Sequence, residues 1–153
     1  MSDLNNIDHL NIKYYNPFND FEPVEIIWCS LLEKTNHSYF LSWGWMANWI
    51  KSLPSASDLR LVVGYIEKDP VFAFFVGTKK MRKYGFLPTR IMSLNSSADP
   101  YFDKLFIEHN SILVDQSITL REKVYHAILN LQDWDEFILP GISQEFHENG
   151  RFY

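Results

Sequence analysis

The stretch FLSWGWMANWIKSLPSASDLRLVVGYIEKDPVFAFFVG, Phe40 to Gly77, decides the fold of this chain. Ser42 stands where a helix cap belongs, and Pro54 terminates the helix that follows. At 100° per residue Trp45, Met46, Trp49, Ile50 and Leu53 form one broad apolar face, with Asn48, Lys51 and Ser52 opposite. A stripe that wide predicts packing on a sheet, so the tryptophans read as core rather than as a ligand platform. Leu59, Leu61, Val63 and Tyr65 then alternate along a strand. Lys68-Asp69-Pro70 supplies turn chemistry, and Val71 to Val76 is apolar on both faces, as a central strand covered on both sides must be.

Working outward, Leu10 to Tyr15 predicts a first strand, and Pro23 fits the first turn of a helix whose stripe is Val24, Ile27, Trp28, Leu31 and Leu32. Cys29 lies at the edge of that stripe as a packed thiol. Phe86 to Leu94 predicts a strand that Pro88 confines to an edge or a bulge, and Asn95 to Asp103 is loop by composition. Leu105 to Val114 holds short apolar runs around Glu108-His109-Asn110. Thr119-Leu120-Arg121-Glu122 is a capping box that opens a helix to about Leu131, and Phe137-Ile138-Leu139 is a last strand. The expected fold is α/β (α+β), a mixed, largely antiparallel twisted sheet flanked by helices, in one domain over residues 1–153.

Composition narrows the function classes. A hydrophobic fraction of 46% with 22% charged residues supports a packed core and disfavours disorder. The net charge of −5 disfavours a general nucleic-acid footprint. No apolar run reaches the roughly 18 residues of a membrane span, and MSDLNNIDHL lacks signal-peptide features, so the expected location is cytoplasmic. One cysteine and no HExxH pair among His9, His37, His109, His126 and His147 lead to the expectation of no metal site.

Phosphate-binding signatures GxGxxG and GxxxxGK[ST] are absent. Arg82-Lys83-Tyr84-Gly85-Phe86-Leu87 partly imitates an Arg/Gln-x-x-Gly-x-Gly/Ala loop, but ends in Leu and precedes a strand pattern rather than a helix. The basic run Lys79 to Lys83 reads as a solvated hairpin end, with an anion contact as the alternative. Glu108-His109-Asn110 is the densest polar cluster inside an apolar segment, either a hydrogen-bonded turn or the seat of a general base.

Three segments carry a resemblance: Phe40-Leu41-Ser42-x-x-Trp45-x-x-x-Trp49; Leu61 to Tyr65 with Val71 to Gly77; and Phe106 to Asp115 with Trp134 to Ile142. Together they resemble the amino-terminal half of a GNAT-superfamily acyltransferase of the CelD type, related to the FemAB peptidyl transferases. The resemblance implies a GNAT-like fold. It also implies an N-acyltransferase that moves, or helps to move, an acyl group from acyl-CoA to a small-molecule or peptide amine. Under it Glu108 is the candidate base or acceptor contact, and Asn110 the candidate substrate-orienting residue. It further implies that the chain corresponds to one half of a longer two-domain protein, with a second GNAT-like domain or a homo-oligomer as partner. The acyl-donor loop of such proteins belongs to the other half. The competing reading is a non-catalytic interaction domain that docks through an aromatic face.

Overall fold

The computed structural model describes residues 10–104, 107–117, 121–131 and 134–142. Strand β1 (Leu10–Tyr15) leads to helices α1 (Phe21–Leu32) and α2 (Trp43–Ser52). Strands β2 (Asp58–Ile66), β3 (Asp69–Lys83) and β4 (Leu87–Leu94) follow as a meander, then a short β5 (Leu113–Val114), helix α3 (Arg121–Leu129) and β6 (Glu136–Ile138). The sheet order is β1-β2-β3-β4-β6, with β5 on β3. Every pairing is antiparallel except β4 with β6, which is parallel. The expected mixed, mostly antiparallel, helix-flanked sheet is the architecture observed.

Alternation along β2 and β3 assigns the two faces. Leu59, Leu61, Val63 and Tyr65 of β2 join Ala73 and Phe75 of β3 under α1 and α2, with Val24, Trp28, Leu31, Met46 and Ile50. Val62, Phe72, Phe74 and Val76 face the other way, onto Val124, Ala127 and Ile128 of α3. Phe72, Phe74 and Phe75 are wholly buried, which is why β3 reads as apolar on both faces. The Trp28 indole packs at a tilt on Phe75, with ring centroids 4.8 Å apart, and donates its N–H to the Leu41 carbonyl (2.8 Å), so α1 holds the approach to α2.

One local expectation is corrected and another holds in part. Ser42 stands at the N-cap of α2, yet its hydroxyl makes no capping bond; its carbonyl accepts the Met46 N–H (3.0 Å) instead. Pro88 sits in the ladder opposite Arg82, in a strand that is interior farther along, because β6 pairs with β4 only from Ile91 to Ser93. At the level of Pro88 the sheet still ends there, so its missing N–H costs no ladder bond on that side. The capping residues at 118–120 and the tail from 143 lie outside the described residues.

β5 is the unexpected element. β4 follows β3 as far as Leu94 opposite Val76, and β5 resumes the same partner at Leu113 opposite Ala73. The two are pieces of one interrupted strand, with residues 95–104 and 107–112 thrown out as an excursion between them. Where the strand resumes, Asp115 fixes it: its carboxylate accepts from the Ser117 amide (3.0 Å) and hydroxyl (2.6 Å) and lies 3.5 Å from the Lys34 ammonium. Burial by itself would raise this carboxyl, but the Ser117 and Lys34 contacts outweigh it and hold it below its ordinary value. A depressed folded-state value adds stability that is complete above the unfolded carboxylate value of about 3.9 and lost as pH falls through the folded one. Asp115→Asn is expected to lower stability at neutral pH and to flatten the loss of stability below about pH 4, measured by urea unfolding across pH.

Candidate functional site

The excursion is built around two buried asparagines. Asn95, in the left-handed region at φ 46°, accepts the Phe75 N–H on its side-chain oxygen (2.8 Å), closing the ladder where β4 ends. Its amide nitrogen donates to Asn110 Oδ1 and to the Ser111 carbonyl, both at 2.8 Å. Asn110 in turn donates to the Leu94 carbonyl (3.0 Å) and the Pro140 carbonyl (2.9 Å), while its own N–H reaches the Gly141 carbonyl (2.9 Å). Leu94 and Pro140 lie just past the last β4–β6 pair, Ser93 with Ile138, so Asn110 fills the fork where the parallel pairing ends.

Over this base lies a cleft of about 550 Å³, within the range of small-molecule sites. One wall is α2, contributing Gly44, Trp45, Asn48, Trp49 and Ser52; the other is the excursion, with Ser96, Phe102, Asp103 and Ile107. Tyr39, Asn95 and Pro140 complete it. Tyr39, Phe40 and Trp45 meet edge to face, at 5.9 Å for Tyr39–Trp45 and 4.9 Å for Phe40–Trp45, which braces the aromatic rim. Asp103 is the one charged residue in the cleft wall among the described residues. Its carboxylate accepts from Ser96 Oγ (2.7 Å) and the Ser97 N–H (2.9 Å), so its position is fixed, and no cation pairs with it among the described residues. The loop is tied back to β3 by Lys79 on Asp99 (2.8 Å), and that ammonium together with the Tyr101 N–H holds the Asp99 carboxyl below its usual value.

The sequence-predicted residues fall on either side of this cleft. Glu108 is exposed on the outer turn of the excursion, next to His109 at φ 54°, and does not line the cleft. Asn110 is 2% exposed, with both side-chain polar atoms engaged by the network beneath the cleft. Trp45 and Trp49, read from the sequence as core, are only half-buried and form cleft wall; Met46, Ala47 and Ile50 do the burying. Asp103 passed as a loop residue, since nothing local announces that two serines aim its carboxylate at a distant helix. The Arg82 to Leu87 segment turns a hairpin, with Tyr84 and Gly85 at φ 53° and 80°, and opens no helix. Cys29 is a partly buried thiol whose pKa is raised by burial and by Glu25 and Glu33, the opposite of an activated nucleophile. No group of three His, Cys, Asp or Glu side chains that could hold a metal occurs among the described residues. No helix among them is long and apolar enough to cross a membrane.

The fork also bears on an acyl-CoA donor. A thioester arm laid along β4 needs free backbone polar groups beyond the last paired residue. The Leu94 and Pro140 carbonyls there already accept from Asn110, so an arm entering the fork as built would have to displace that side chain.

No family model matches the chain, and no curated protein matches it. Among solved structures, the chain is similar to the aminoglycoside N-acetyltransferase AAC(6')-Iy in complex with CoA, at 13% identity over 93% of this chain and 82% of that chain, with a TM-score of 0.47. A likeness that distant determines no residue's role in this chain.

Proposed function

We propose that this chain is an acyltransferase-like domain of the GNAT type, with the CelD/FemAB resemblance naming its subgroup. In this reading it holds the amine acceptor in the cleft between α2 and the excursion. The observation that carries the reading is the placement of one fixed carboxylate, Asp103, in an otherwise aromatic and neutral cleft at the ends of β4 and β6. A protonated amine satisfies that carboxylate, and an apolar or ring-bearing body satisfies Trp45, Trp49 and Phe102. The acceptor class is therefore an amine on a hydrophobic body, a small molecule or a peptide side chain.

Chemically, the domain contributes positioning. Transfer to an amine requires the nitrogen to be held and later deprotonated, and Asp103 is the carboxylate the cleft presents for the first task. Glu108, on the outer face, is free to meet a second surface. The acyl donor, acyl-CoA by the resemblance, finds the fork filled by Asn110 and is presented by a second unit of the same type. The closed fork equally supports the alternative, an interaction half-domain that transfers nothing itself.

Calorimetry with 2-phenylethylamine and its uncharged counterpart ethylbenzene tests the reading. The amine is expected to bind, and Asp103→Asn to weaken it about tenfold or more, as loss of a charge-assisted hydrogen bond does, with ethylbenzene unaffected. Equal binding of the amine by wild type and Asp103→Asn overturns the assignment of the cleft.

A further inference from the structure

The hairpin that joins β3 to β4 is exposed along nearly its whole length from Lys80 to Pro88. Its sequence, KKMRKYGFLPTR over residues 79–90, carries five cations and no acid, on a chain of net charge −5. Lys79 and Lys83 are paired with Asp99 and Glu136, whereas Lys80 and Arg82 have no carboxylate partner among the described residues. At the end stand three exposed apolar side chains, Tyr84 (85%), Phe86 (76%) and Leu87 (48%), with Met81 (41%) farther back between Lys80 and Arg82.

The turn makes this tip more than a solvated loop. The Phe86 N–H closes it on the Lys83 carbonyl (3.2 Å), with Tyr84 and Gly85 both at positive φ. The ladder ends at Lys83 opposite Leu87, so Phe86 bulges behind a turn whose two central residues are left-handed; such a turn favours Asn-Gly or Asp-Gly, and a bulky aromatic at its first position is an outlier that costs stability. An aromatic there, turned out to water, points to a function for the ring.

We propose that this hairpin docks on an anionic membrane surface, its tip entering the headgroup boundary while Lys80 and Arg82 meet the lipid phosphates behind it. Three features favour lipid over the other occupants. The apolar groups lead and the cations follow, the order an interface requires. The basic ribbon is segregated on an acidic chain, which turns the remainder away from a negative surface. A nucleic-acid strand would need its cations foremost and its rings aligned on a groove.

The test is flotation of the full chain with phosphatidylcholine vesicles, with and without phosphatidylserine. Binding is expected to be about tenfold greater with the anionic lipid and to fall steeply at about 0.5 M salt. The variant Tyr84→Asn/Phe86→Ser is expected to lose it, and because asparagine suits the turn, Tyr84→Asn alone leaves the unfolding midpoint unchanged or higher. Lys80→Glu/Arg82→Glu is expected to lose anionic selectivity. Equal binding to neutral vesicles, binding that survives Tyr84→Asn/Phe86→Ser, or loss of a dimer or of oligonucleotide binding in that variant in place of vesicle binding each overturns the proposal.

Discussion

Replacing Asn95 by alanine is expected to destabilise the fold by about 3–5 kcal/mol. The side chain is wholly buried and serves three partners: the Phe75 N–H, the Asn110 amide oxygen and the Ser111 carbonyl. Alanine returns none of them to water, and a buried polar group left without a partner costs about 1–3 kcal/mol. It also places a Cβ residue less tolerant than asparagine at φ 46°, adding about 1 kcal/mol. Asn95→Gly relieves the backbone but none of the bonds, so it should recover only that last increment. Asn95→Asp keeps the acceptor for Phe75 but aims a carboxylate at two other acceptors, and is expected to be as damaging as alanine. Urea unfolding ranks the three variants; an alanine variant within about 1 kcal/mol of wild type would show that the network does not hold the fork.

The second large effect is expected at Gly77. This residue lies in β3 opposite Ser93, where the excursion leaves the sheet, and a Cβ there would overlap the backbone of Ser96 and Ser97. No flexible side chain can yield, so the loop itself must move. Gly77→Ala is expected to cost about 2–4 kcal/mol and to weaken amine binding, because Ser96 and Ser97 are the groups that aim Asp103. Gly44→Ala is the matched control for stability alone, since Gly44 lines the cleft: a Cβ there meets nothing within 4 Å, and alanine is the better helix former. A Gly77→Ala protein that unfolds like wild type and binds the amine normally would mean the excursion does not rest on β3.

The scaffold was legible because its signals are local. β1, α1, α2, β2 and β3 announce themselves through period 2 or period 3.6, and the all-apolar run of β3 correctly indicates cover on both faces. The site was not, because its parts meet through contacts that leave no periodic trace. Trp45 and Trp49 flank the buried stripe of α2, and a helical wheel cannot distinguish packing against a sheet from lining the gap beside it. Asn110 stood out as a polar residue in an apolar segment. The sequence could not say that a backbone fork lies within reach of it, whose carbonyls take up its amide. Asp103 looked like ordinary loop chemistry. Only the return of the chain from β4 to β5 on the same partner strand brings that loop opposite α2.

The cleft is expected to take an amine while Asn110 keeps the fork beneath it shut to a thioester arm. Nitrogen-resolved NMR of the full chain tests both halves in one sample, through the indole N–H signals of Trp45 and Trp49 and the side-chain amides of Asn95 and Asn110. Titration with 2-phenylethylamine is predicted to shift the two indoles, and acetyl-CoA alone to leave the asparagine amides where they are. Asparagine amides that move on adding acetyl-CoA, or indoles that ignore the amine, would contradict the account.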